Sequence, residues 1–155
     1  MTARQSQGWS LWFAELFDAR WRELRARVKH LKATVDEQAF NAHPDVKLFA
    51  ALVNIVHELV PADPDAPQFL LGNTLGAQHR GWRRVKGNGL PSRMRLFFKF
   101  SAGKKVIVYA WLNDAKTLRK QGSATDVYAI FQGMLKAGNP PDNFETLMAQ
   151  VSSGK

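Results

Sequence analysis

Arg80, Arg83, Arg84, Lys86, Arg93, Arg95, Lys99, Lys104 and Lys105 fall in one stretch, between Asp65 and Asp114, that holds no Asp or Glu. Trp82, Phe97, Tyr109 and Trp111 are interleaved with them. Cations set among flat rings suit a phosphate backbone with stacked bases. The chain's formal charge of +9 equals the surplus of this one segment, so a polyanion is the expected partner. Exposed strands also carry Lys and Arg for solubility and against edge pairing, but such faces mix signs, and this one does not.

Other chemistries are poorly served. The chain has no Cys, which removes disulfides, thiolate nucleophiles and thiolate-ligated zinc. Of four histidines, His30 and His57 lie in helical runs and read as packing or surface residues, and His43 precedes Pro44 in a loop. His79 adjoins the basic segment and is the one candidate acid. No pair has metal-ligand spacing. The glycine-bearing GNGLPS stretch is a turn, because no helix follows it.

The elements that must position these groups read as follows. Gly8–Phe13 is a short strand. Phe17, Trp21, Leu24, Val28 and Leu31 recur at helical spacing and predict a helix to about Lys32, with Arg20, Arg22, Arg25, Arg27 and Lys29 on its other faces. Asp36–Val60 is apolar on most sides and reads as a helix sandwiched between other elements, started or kinked at Pro44. Pro61, Pro64 and Pro67 close this helical half. Three period-2 segments follow, Trp82–Lys86, Arg93–Phe100 and Lys105–Leu112, joined by short loops suited to antiparallel hairpins. Ser123 with Asp126 predicts the start of a helix over about Thr125–Lys136, and Asp142 with Glu145 that of a last one. The order predicts one α+β domain over residues 1–155, frayed at about 1–7 and 150–155.

Strand alternation puts Met94, Leu96, Phe98 and Phe100 on a core face and Arg93, Arg95, Phe97 and Lys99 on the other. Trp82, Arg84 and Lys86 share one side of the preceding strand, and Tyr109 and Trp111 one side of the following strand. Side by side, the three strands would form an open cationic and aromatic floor.

The runs WRRVK from Trp82, RMRLFFKF from Arg93 and KVIVYAWLND from Lys105 resemble the YhaV family of type II toxins, within the RelE-like ribonuclease superfamily. TLRKQG from Thr117, TDVYAIF from Thr125 and MLKAGNPP from Met134 strengthen the resemblance, which runs from Gly8 to about Leu147. It implies a RelE-like β-α-α-β-β-β fold with a C-terminal helix, and an endoribonuclease that cuts mRNA, usually with the ribosome, and inhibits translation. It also implies a PrlF-type antitoxin, a swapped-hairpin DNA-binding protein through which the complex reaches operator DNA.

Metal-free RNA cleavage needs an in-line 2′-OH, a base, cations for the charge on phosphorus and an acid for the leaving 5′-oxygen. By the resemblance, Arg84 and Arg95 stabilise the transition state, and Lys86 and Arg93 hold flanking phosphates; Trp82, Arg83, Lys99 and His79, in the same basic and aromatic segment, are further expected RNA contacts. The other catalytic candidates are Asp114, Arg119 and Tyr128, where the sequence departs from the better-known RelE pattern of a basic residue closely followed by Tyr. Each has two readings: Asp114 as base or turn residue, Arg119 as phosphate clamp or helix-end partner, Tyr128 as catalytic group or core ring. No cofactor or metal is expected. The N-terminal MTARQSQGWSLWF does not read as a secretory signal, and no segment reaches the roughly 20 apolar residues that span a bilayer, so a cytoplasmic protein without membrane partners is expected. The rival reading is a basic RNA-binding module without catalysis, which cleavage products would separate.

Overall fold

The computed structural model describes residues 3–71, 75–114 and 124–153. One five-stranded sheet forms from β1 (Arg4–Ser6), which corrects the expected fraying of residues 1–7, and the period-2 segments β2 (Trp9–Phe13), β3 (Arg83–Val85), β4 (Leu96–Ser101) and β5 (Val106–Leu112), in the order β1-β2-β5-β4-β3. Neighbours are antiparallel except β2 and β5, which run parallel. A parallel pair needs a long connection between its strands, and here the helices and the β3–β4 pair fill it. The architecture is α+β and consistent with a RelE-like fold, as the element order predicts.

Phe17, Trp21 and Leu24 give α1 (Glu15–Thr34) its buried stripe. In the next segment Pro44 starts a helix, one of its two expected roles, and a separate short helix precedes it. Pro44 lacks the N–H that would continue a helix, so α2 (Glu37–Ala42) stops and α3 (Pro44–Asn54) starts, with His43 Nδ1 accepting from Asp45 N at 3.0 Å. Nor is α3 sandwiched: Leu48 and Leu52 are buried while Ala50, Val53 and Asn54 are exposed. It runs on through a π turn (Ile55–Leu59), where the buried Tyr109 hydroxyl donates to Val56 O at 2.9 Å.

Tyr109 corrects the expected floor. The register shifts between Phe97 and Phe98, with Phe97 opposite Trp111 but Phe98 opposite Tyr109. This bulge takes one extra residue, Ala110, out of the alternation. Tyr109 therefore packs with Phe13, Phe17 and Phe98 on the α1 side, and Trp111 lies on the opposite face with Phe97.

That opposite face is no open floor either. It is covered by α4 (Ala124–Lys136) and α5 (Phe144–Ser152) and forms a second core in which Trp82, Phe97, Val108 and Phe131 are fully buried. Val127, Phe131 and Leu135 recur every four residues on α4 and need an apolar surface, which the sheet supplies. Phe131 stacks on Phe97 at 4.2 Å and on Trp111 at 5.7 Å, with Trp82 edge-on at 5.0 Å.

Asp142, expected to start α5, does not. Asn143 caps it, its side chain accepting from Thr146 N. The Asp142 carboxylate turns to the sheet instead, accepting from Trp82 Nε1 at 2.7 Å and lying 3.2 Å from His79 Nδ1 and 3.6 Å from Lys99 Nζ. The expected cap residue Ser123 lies outside the described residues. Among those described, no helix is long and apolar enough to cross a membrane.

Partial burial pushes the Asp142 carboxyl up, but the hydrogen bond from Trp82, the close approach of His79 and the charge of Lys99 outweigh it, so its pKa lies below the ordinary value. A carboxyl depressed on folding adds stability above its unfolded pKa of about 3.9, and that stability is lost as pH falls through the folded value. Asp142→Asn is therefore expected to be less stable than wild type at pH 7. The gap should close as pH falls below about 4, read from urea midpoints across a pH series.

Candidate active site

Arg84 pairs with Phe97 across β3 and β4, so both point to the α4 face. Arg95 stands two residues before Phe97 and leans the same way. Both guanidiniums end on one oxygen: Arg84 Nε and Arg95 Nε each donate to the Tyr128 hydroxyl at 3.0 Å. Tyr128 comes from the first turns of α4, is only 9% exposed, and sets its ring edge-on to Phe97 at 5.9 Å. Its ring belongs to the second core, as one of its two readings has it, while its hydroxyl reaches the core's edge and accepts from both arginines. Arg84 Nη1 donates to the carbonyls of Gln68 and Leu70, each at 3.2 Å, and Arg95 Nη1 to Met94 O at 3.0 Å.

Burial alone would raise the phenol's pKa. The two Arg hydrogen bonds and their charges prevail, and the pKa lies below the ordinary tyrosine value. A phenol held this way yields a phenolate more readily than free tyrosine, with two cations beside it for a second anion.

The remaining candidates separate. Lys86 and Arg93 are exposed near the two arginines in sequence. Arg93, however, precedes β4, which begins at Leu96, and its φ of 69° marks a turn and not the expected strand. Arg83 pairs with Phe98 and faces the other side of the sheet. There it is tied to Asp65 at 3.1 Å and to the carbonyls of Arg80 and Trp82. Asp114 is exposed directly after Asn113, and Arg119 lies outside the described residues.

Trp82, Lys99 and His79 are corrected as RNA contacts, because all three are enclosed around Asp142. Trp82 is fully buried and His79 is 7% exposed, so neither offers a ring for a base to stack on. The Lys99 side chain is 14% exposed, lies over the Trp82 ring, and also donates to the Asp142 carbonyl. Burial lowers its pKa, against the pull of Asp142. The segment's missing counter-charges thus arrive from outside it: Asp142 for Lys99, Asp65 for Arg83 and Glu145 for Lys104.

Asn113 stands beside Asp114 in the region where the sequence departs from the better-known RelE pattern, and the sequence assigns it no role. It is fully buried, with both side-chain polar atoms bonded to the backbone around Arg95. An Asn ending an apolar strand reads as an ordinary turn residue, and the only signal to the contrary is its place inside the KVIVYAWLND run.

Arg84 and Arg95 meet at the Tyr128 phenol on a small α+β sheet closed by a helix, a cationic cluster of the kind that suits an anionic ligand. A family model for toxins with endonuclease activity, of toxin–antitoxin systems, matches residues 11–152. The chain belongs to this family, the YhaV toxins. The "Ribonuclease toxin YhaV" of Escherichia coli strain K12 is 39% identical over 146 residues, covering 93% of this chain and 92% of that protein. "Toxin YhaV" of Escherichia coli O157:H7 shows the same figures, and that of Escherichia coli O6:H1 is 38% identical. No solved structure matches the chain significantly.

The chain has two tyrosines, and burial pushes the other, Tyr109, well up, so phenolate absorbance at rising pH reports Tyr128 first. In Arg84→Gln or Arg95→Gln the first transition should move to higher pH, since each removes a charged donor. An unmoved transition would dissociate the arginines from the phenol.

Proposed function

We propose that this chain is the ribonuclease toxin of a type II toxin–antitoxin pair and cleaves mRNA by attack of the 2′-OH on the adjacent phosphorus. The observation that carries the reading is the convergence of Arg84 and Arg95 on the Tyr128 hydroxyl, at 3.0 Å each. Tyr128 as phenolate takes the 2′-OH proton. The 2′-oxygen bonds to phosphorus, the bond to the 5′-oxygen breaks, and that oxygen takes a proton from solvent water, leaving a 2′,3′-cyclic phosphate and a 5′-OH. The charge building on the phosphoryl oxygens meets the Nη2 groups of Arg84 and Arg95, which make no hydrogen bond among the described residues. Such preorganised donors stabilise a transition state at no cost of reorganisation. Lys86 and Arg93, exposed nearby in sequence, hold flanking phosphates. Asp114 is the second candidate for the proton transfers, and Arg119 for phosphate clamping.

Similarity to the YhaV toxins supports an mRNA substrate met on the ribosome, and neutralisation by a PrlF-type antitoxin that alone brings the complex to operator DNA. A cytoplasmic site of action follows from that substrate. The test is to induce the chain in cells with and without the antitoxin encoded beside it and to map RNA 5′ ends. New 5′-OH ends and arrested translation are expected only without antitoxin, whereas intact transcripts at confirmed soluble expression would sink the reading.

In purified form, Arg84→Ala and Arg95→Ala should each lower cleavage about 10²-fold or more, with RNA binding less affected. A phenolate base predicts a cleavage rate that rises with pH, and Tyr128→Phe should lower cleavage by about 10²- to 10⁴-fold and remove that rise. Because the guanidiniums supply the positive charge, cleavage of a substrate that needs no magnesium for its own folding should continue in EDTA. Activity restored only by a divalent ion would reject that assignment.

A further inference from the structure

The β4–β5 ladder begins at the Leu96–Leu112 pair, yet Arg95 must be held just beyond it. Asn113 supplies the missing rung. Its Oδ1 accepts from Arg95 N at 2.8 Å and its Nδ2 donates to Arg93 O at 3.1 Å. Its main chain is held as well: Asn113 N approaches Arg95 O at 3.4 Å, and Arg20 Nη1, reaching across from α1, donates to the carbonyls of Leu112 and Asn113 at 3.3 Å each. The clamped segment includes Arg93 at φ 69°, a left-handed conformation that a residue with a Cβ keeps only when its surroundings enforce it.

We propose that Asn113 is a positioning residue for RNA cleavage, its buried carboxamide bridging Arg93 and Arg95 so that the Arg95 guanidinium meets the Tyr128 hydroxyl. The inference rests on the reading of Arg84, Arg95 and Tyr128 as the cleavage site. The chemistry selects the residue type. One small planar group must present an acceptor to an N–H and a donor to a carbonyl, both buried. Aspartate keeps the acceptor but turns a second oxygen toward Arg93 O. Leucine fills the space and leaves both backbone groups without partners, and glutamine is a methylene too long.

The experiment uses the full chain and compares Asn113→Asp, Asn113→Ser, Arg95→Gln and the Asn113→Asp/Arg95→Gln double variant. Single-turnover cleavage, RNA binding and the phenolate titration of Tyr128 are the readouts. Asn113→Asp is expected to lower the cleavage rate about 10- to 100-fold at near-constant binding, the size of loss that an ångström of misplacement brings. Its first phenolate transition should move up toward that of Arg95→Gln, and the double variant should be little worse than Arg95→Gln, because the two changes act through one group. Should Asn113→Asp fail to fold, Asn113→Ser carries the same readouts with a smaller side chain. A folded Asn113 variant with the wild-type rate and an unmoved phenolate transition overturns the proposal, as does full additivity in the double variant. Wild-type cleavage by Arg95→Gln would overturn the site reading instead, and the phenolate titration would still decide whether Asn113 positions Arg95.

Discussion

Two guanidinium groups share one phenol oxygen, and much of the surrounding structure works to hold that arrangement. Like charges brought together repel and disfavour each other's charged state, so the pair persists only where neighbouring groups fix it. Each arginine is fixed from its own side: Arg84 by the carbonyls of Gln68 and Leu70, Arg95 by Met94 O and the Asn113 amide. The oxygen they share is fixed by packing, since the Tyr128 ring is wedged edge-on against Phe97 within the second core. The hydrophobic contact of α4 with the sheet and the polar geometry of the site are therefore one constraint.

What the sequence made legible was local. Helical spacing located α1, and alternation alone set Arg84 and Arg95 on a common face, because both depend on a few consecutive residues. Tyr109 was assigned the wrong face because a single bulge at Ala110, invisible in a pattern of apolar residues, changes the parity of β5. Pro44 was legible as the start or kink of the Asp36–Val60 helical run, and it starts α3, while the separate α2 before it was not foreseen.

Trp82, His79 and Lys99 failed for a different reason. Their anion, Asp142, lies 60 residues beyond Trp82, and a charge census taken along the chain cannot see an acid that tertiary packing brings in. The same blindness made an open floor of a sheet face that α4 covers. Tyr128 was undecided for a related cause: a ring packed at the edge of a core can still turn its hydroxyl to charged neighbours, so the two readings are not alternatives. The family resemblance supplied the activity, and the packing supplied the grouping of three candidates from a longer set.

The two halves of the site also differ in when they exist. Arg84 and Arg95 are translated before Tyr128, and the residues that dock α4 and α5 against the sheet, Phe131 and Asp142, come later still. A partly synthesised chain therefore holds the two arginines but neither the phenol nor the helix that presents it. In a family of ribonuclease toxins, this order of assembly leaves the cluster of Arg84, Arg95 and Tyr128 incomplete until the sheet has received its cover.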